Sequence, residues 1–179
     1  MMLKRETMRV PISEACPGDI LIFKGRGIAY KTLSYLLRKL KEPNWDGWGW
    51  HMAPVISRET RPYLQIKYMD AQWPRLKITT LRLADKVRCY RVFDTEPPAD
   101  KVKLFVDRVL GRSYDVMVHF WTMLALFLRP RINVPRIINR FYDCWECTFE
   151  ALDQWGIDIT WTWEYPWLTD FLRHVKEIK

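Results

Sequence analysis

The chemistry of this chain starts with sulfur. Four cysteines occur, Cys16, Cys89, Cys144 and Cys147, and the last two lie three residues apart in "RFYDCWECTFEALDQWG" (140–156). A C-x-x-C can be half a metal clip, a redox pair, or a nucleophile beside a packed thiol. A structural zinc site needs a second ligand pair. Cys16, Cys89, His51, His119 and His174 show no paired ligand spacing, so neither metal nor cofactor is expected. A thioredoxin-like pair would open a helix after a strand, usually with Gly or Pro between the sulfurs. Trp145 and Glu146 stand there instead. The remaining reading takes Asp143 as a helix N-cap, so that Asp143-x-x-Glu146 forms a capping box. Cys144 is then the first helical residue, where unpaired backbone N–H groups and the positive dipole end favour a thiolate. Asp143 and Glu146 oppose that effect, so a histidine partner is required. Cys147, one turn on, suits a small buried hydrophobe.

Three histidines are available. His51 begins a predicted strand after the Gly/Trp stretch "NWDGWGW" (44–50). A base on a sheet edge facing a helix start is a geometry that thiol hydrolases use. His119 lies in an apolar run, where a satisfied core histidine is expected. His174 falls on a solvated helix near the end of the sequence. A third group should orient the imidazole. The following strand reaches "YMDAQ" and offers Asp70, with Gln72 two residues on and facing the same side. Asp70 is preferred, since a carboxylate also stabilises the imidazolium; Gln72 stays as the alternative.

These groups need elements to hold them. "CPGDILIFKG" (16–25) reads as a Pro-Gly-Asp turn and a strand over 20–23. The spacing of Ile28, Leu33, Leu36, Leu37 and Leu40 predicts a short amphipathic helix. The Gly/Trp stretch reads as a loop. Strands are predicted in "HMAPVIS" (51–57), "YLQIKYMDAQ" (63–72, with Leu64, Ile66 and Tyr68 alternating), "KITTLRL" (77–83) and "VRCYRVF" (87–93). A helix follows Pro98, with Val102, Phe105, Val106 and Val109 as its apolar face and Gly111 at its end. An apolar, basic insertion spans 116–140. The helix from Cys144 ends at Gly156. Strands and helices are segregated, which predicts an α+β fold with an antiparallel sheet packed against helices, in one domain over 1–179.

Composition narrows the function classes. Apolar residues make up 49% of 179, with only seven glycines, so the chain should fold around a real core. Of ten tryptophans, six cluster in 44–51 and 159–167. Core and rim packing is the plainer reading; an aromatic-lined cleft is the sharper one. The net charge of +8 favours anionic partners such as an acidic envelope. The basic residues are dispersed and no nucleic-acid motif occurs, so no nucleic-acid partner is expected. The cysteines do not form a disulfide framework. "MMLKRETMRVPISEA" has no apolar signal core, so synthesis in the cytoplasm is expected. The longest apolar run, "VMVHFWTMLALFL", has 13 residues, too short for a bilayer span. It reads as a buried or interface helix, and membrane or protein contact through 116–140 is a further expectation.

Taken in order, the motifs resemble the circularly permuted branch of the NlpC/P60 papain-like superfamily, the group of YiiX/YebB-like cysteine hydrolases. The resemblance runs from about Cys16 to Asp170. It rests on Pro17-Gly18-Asp19-Ile20-Leu21, on His51 in "HMAPVIS", and on Asp70-Ala71 at a strand end, with Asp for the more usual Glu. Arg91 in "YRVF", Leu110-Gly111-Arg112-Ser113-Tyr114-Asp115, and Cys144-Trp145-Glu146-Cys147 in place of C-S-E-L complete it. His before Cys is the permuted order. Two departures stand out. Trp145 replaces a small Ser and either crowds the cleft or forms its wall, and the 116–140 insertion exceeds what the core fold requires.

The resemblance implies Cys144 as nucleophile, His51 as base and then acid, and Asp70 as orienter. Trp50, Trp145 and Tyr114 are the expected substrate-binding residues. Packing is the plainer role for Tyr114, with a hydroxyl donor the alternative. The implied reaction cleaves an amide through an acyl-enzyme, with a peptidoglycan stem peptide or a related bacterial cell-wall or acyl amide as substrate. Delivery in a phage particle or through a lysis system is one route to the wall. A lipid or N-acyl hydrolase or acyltransferase is the second reading. A binding or structural module with an impaired site is the third.

Overall fold

A computed structural model describes residues 8–25, 31, 35, 48–82, 85–93, 95–115, 141–142 and 144–156; for 8, 48–50, 141–142 and 145 it describes the backbone. The strands are β1 (Met8–Val10), β2 (Ile20–Lys24), β3 (Trp48–Glu59), β4 (Gln65–Gln72), β5 (Arg75–Thr80), β6 (Val87–Arg91), β7 (Ser113–Tyr114) and β8 (Phe141–Tyr142). A 3-10 turn covers Ile12–Glu14. Among the described residues, two helices have both ends in view, α1 (Ala99–Val109) and α2 (Cys144–Gln154). The eight strands form one sheet in the order β1-β6-β2-β3-β4-β5-β7-β8. Neighbours run antiparallel except β7 and β8, which are parallel. The architecture is α+β.

Strand alternation divides the buried side chains between the two faces of the sheet. Ile20, Ile22, Met52, Met69, Ala71 and Leu76 belong to one layer with Val102, Phe105 and Val109 of α1 and Cys147, Ala151, Leu152 and Trp155 of α2. The intervening residues Leu21, Ala53, Val55, Ile66, Tyr68 and Cys89 join Val10 and Ala15 in a second layer. The α1 residues recur at helical spacing, which turns one stripe to the sheet. Trp155 packs edge-on against Phe105, with ring centroids 5.5 Å apart, and closes the space between the two helices.

The strands expected around residues 20, 51, 65, 77 and 87 are present, as are the helices expected after Pro98 and from Cys144. Gly111 and Gly156 end α1 and α2 with φ of 77° and 101°, a left-handed turn that favours glycine.

Three features differ from expectation. The loop expected over 44–50 gives way at Trp48, where β3 begins. There β2 supplies a ladder, with Lys24 opposite Trp48 and Phe23 opposite His51, and the pairing outweighs the poor strand propensity of Gly49. Leu64 lies outside β4 and is exposed, so the alternation begins only at Ile66. Strands β1, β7 and β8 are too short to leave a period in the sequence; each forms because a neighbouring edge offers hydrogen bonds. Of the helix expected from Ile28 to Leu40, Lys31 and Tyr35 are helical. The rest of that helix, the 116–140 insertion and Asp143 lie outside the described residues. Among the described residues no helix is long and apolar enough to cross a membrane.

Candidate active site

His51 and Asp70 stand on adjacent antiparallel strands, β3 and β4. Both are buried, at 7% and 3% exposure. His51 Nε2 lies 2.9 Å from Asp70 Oδ1. A carboxylate only accepts, so Nε2 carries the hydrogen and donates it. Nδ1 is then the nitrogen with a lone pair, the atom through which the ring can take a proton. The second carboxylate oxygen, Oδ2, accepts the Thr79 hydroxyl of β5 at 3.3 Å. Phe23 of β2 lies with its ring centroid 5.3 Å from the His51 ring and 5.3 Å from that of Tyr68, so an aromatic wall flanks the imidazole. Burial, and then the charge of Asp70, push the Tyr68 phenol well above its ordinary value, which keeps it neutral.

Cys144 is the first residue of α2 and is 1% exposed. The helix packs against β3 and β4 on the face of Met52 and Met69, whereas alternation turns His51 and Asp70 to the opposite face, with Ala53 and Tyr68. Its start is delivered by the sheet edge: Tyr142 of β8 pairs with Tyr114 of β7, and Cys144 follows two residues later. Cys147 is buried one turn on, as a packed thiol should be. Thr148, fully buried, donates its hydroxyl to the Cys144 carbonyl at 2.8 Å, so its polarity is satisfied within the helix. All four cysteines carry thiols rather than disulfides.

The remaining expected residues fall as follows. Gln72 ends β4 and is exposed, and Asp70 is the residue that meets His51. Tyr114 is partly buried against the layer beneath the helices. Trp50 lies in β3 and Trp145 in α2. Their side chains, and His119 and His174, are outside the described residues. Thr79 and Phe23 were not anticipated. Both sit in segments that read as strands, but only the register brings them to Asp70 and His51.

The Pro-Gly-Asp turn and Arg91, far apart in sequence, prove to be one cluster. Asp19 is 1% exposed. Its carboxylate takes a two-pronged contact from Arg91, Nε at 3.1 Å and a terminal NH2 at 3.0 Å, and the Cys16 backbone N–H at 2.9 Å. Arg91 also donates to the Glu14 carbonyl at 2.8 Å, which ties the 3-10 turn to β6. The Cys16 and Cys89 thiols donate to Asp19 Oδ2 at 3.5 and 3.7 Å. Burial, followed by the Asp19 charge, pushes the Cys16 thiol up to about 11. The same causes push Cys89 up further. Both are therefore protonated donors at neutral pH, unsuited to nucleophilic attack. Gly18 enters this turn at φ 95°, and a Cβ there would lie 2.6 Å from Pro97 Cδ, so only glycine fits.

Among the described residues, no group of three or more His, Cys, Asp or Glu side chains is arranged to hold a metal ion. Compared with protein-family models and with curated proteins, the chain matches neither a family nor a curated relative.

Proposed function

We propose that this chain is a cysteine hydrolase of the permuted papain-like type, which cleaves an amide through an acyl-enzyme. One observation carries the reading: a buried His51–Asp70 pair joined through Nε2, on the two strands that α2 packs against. The pair shares the sheet face of Ala53 and Tyr68 while Cys144 belongs to the layer of Met52 and Met69, so the reading requires the thiol to reach the imidazole around the end of β3. In this mechanism His51 Nδ1 takes the proton from the Cys144 thiol. The thiolate attacks the substrate carbonyl, and Asp70 stabilises the imidazolium through Nε2–H. Backbone N–H groups at the start of α2 hold the oxyanion. His51 then protonates the leaving amine, and a thioester remains on Cys144. Water, deprotonated by His51, hydrolyses the thioester and restores the thiol.

The substrate proposed is a peptidoglycan stem peptide or a related bacterial amide, reached in a phage particle or through a lysis system. The net charge of +8 agrees with an acidic envelope. A second reading, a lipid or N-acyl hydrolase or acyltransferase, takes support from large apolar side chains that stand exposed on the described surface, Trp73 and Leu110 among them. The test is alkylation of Cys144 by iodoacetamide, followed by peptide mass spectrometry. Labelling at pH 6–7 that is lost in His51→Ala is the expected result. A Cys144 that titrates like an ordinary thiol in both proteins would leave a binding module instead. Purified muropeptides, tried against phospholipid and N-acyl substrates, then separate the two hydrolase readings.

A further inference from the structure

Hydrolysis through Cys144 leaves the second sulfur of the C-x-x-C idle. Cys147 is 1% exposed, like Cys144, and both belong to the buried layer of Met52 and Met69. His51 is turned to the opposite face, with Ala53. On its own side of the sheet, Cys144 therefore has a second thiol one helical turn away. The context in the chain also suits a pair. β8 ends at Tyr142 and α2 opens at Cys144, so the C-x-x-C begins a helix directly after a strand. That is the setting in which paired cysteines exchange between thiol and disulfide. Trp145 and Glu146 stand where Gly or Pro is usual, but the bond itself needs only two sulfurs within reach.

Helix geometry puts them within reach. Residues three apart on an α-helix have Cα atoms about 5 Å from one another. Disulfides span Cα separations of about 4.4–6.8 Å. Their Cβ atoms, about 5–6 Å apart in a regular helix, must close to about 4 Å. The adjustment costs least at Cys144. As the first helical residue it donates no intrahelical bond, while its carbonyl stays held by the Thr148 hydroxyl. The other two thiols do not compete. Cys16 and Cys89 donate to Asp19 Oδ2 at 3.5 and 3.7 Å, and burial and that charge keep them protonated.

We propose that Cys144 and Cys147 form a reversible intrachain disulfide when the protein meets a peroxide. The Cys144 thiolate attacks one peroxide oxygen. The O–O bond breaks, hydroxide leaves, and the sulfur, oxidised by two electrons, becomes a sulfenic acid. Cys147 then attacks the Cys144 sulfur. The S–S bond forms, the S–O bond breaks, and the departing hydroxide takes the Cys147 proton as water. Two thiols and one hydrogen peroxide thus give one disulfide and two waters. Exchange with a small thiol returns both cysteines. One consequence rests on the hydrolase reading: the bond removes the nucleophile while sparing it from irreversible sulfinic acid.

The test treats the full chain with hydrogen peroxide, alkylates it with iodoacetamide and reads tryptic peptides by mass spectrometry. Cleavage at Arg140 and Arg173 places Cys144 and Cys147 on one peptide, apart from Cys16 and Cys89. That peptide is expected unalkylated and lighter by two hydrogens, and alkylated at both sulfurs after dithiothreitol. Cys16 and Cys89 should stay reduced. In Cys147→Ala the sulfenic acid on Cys144 should persist, with a dimedone adduct at least about tenfold above that of the unsubstituted chain. His51→Ala should still reach the disulfide, so this outcome is separate from that of the hydrolase reading. Circular dichroism reports that each variant keeps its fold. Sulfinic acid on Cys144 beside a reduced Cys147, or a disulfide that joins two chains or takes in Cys16 or Cys89, would overturn the proposal. So would dimedone labelling indifferent to Cys147, or two sulfurs that stay reduced under excess peroxide.

Discussion

Asp70 has both oxygens engaged, one by His51 and one by Thr79, and this doubles the restraint on the imidazole. Thr79→Val keeps the shape of the side chain and removes the donor. The cost expected is about 1–2 kcal/mol of stability, the range for a buried acceptor left without its partner. Thermal unfolding reads that loss, and Thr79→Ser should recover most of it. A purely steric role for Thr79 would give the reverse, with valine tolerated and serine costly. The cysteines divide by environment in the same way. The Cys16 pKa is raised from 9.0 to about 11, so at pH 8 its thiolate is scarcer than that of an ordinary cysteine by about a hundredfold. Alkylation of Cys16 should be slower by that factor and should climb as pH approaches 11. A fast-labelling Cys16 in native protein would show that the Asp19 cluster opens in solution.

At the scale of elements, the Asp19–Arg91 pair fastens the turn before β2 to β6 and, through Glu14, to the 3-10 turn. Asp19→Ala leaves a guanidinium that is 28% exposed without its carboxylate. About 3 kcal/mol of destabilisation is expected, at the lower end for a broken buried pair because water reaches Arg91. The urea midpoint measures it, and Asp19→Asn should lose less. These contacts also mark how far the sequence could be read. Strands β2 to β6 were legible because alternation and turn residues survive in a linear string, and α1 because Val102, Phe105 and Val109 recur at helical spacing. The choice of Asp70 over Gln72 rested on charge alone. In the structure, register brings Asp70 within 2.9 Å of His51 and leaves Gln72 exposed at the strand end. Register is a property of paired strands, so the partnership of Asp19 and Arg91, 72 residues apart, left no local trace. The two-residue strands β7 and β8 left none either.

Across the whole molecule, the sheet and both helices share a layer in which Phe105 is fully buried and meets the Trp155 ring edge-on. Phe105→Ala should cost about 3–5 kcal/mol, the range for truncating a core aromatic. That is a large share of the roughly 5–15 kcal/mol available to a domain of this kind. Circular dichroism on heating should show one transition moved down; two separate transitions would mean that α1 melts independently of the sheet. The parallel pairing of β7 with β8 has a different kind of consequence. It is the last stitch of the sheet, and it joins two stretches of chain that carry different halves of the proposed chemistry. Everything before residue 116 holds the proton acceptor and its carboxylate; everything after 140 holds the sulfur. A polypeptide cut between those points would yield two inert pieces, each with one side of the stitch. Activity would then report their reunion, as in a split-enzyme complementation pair.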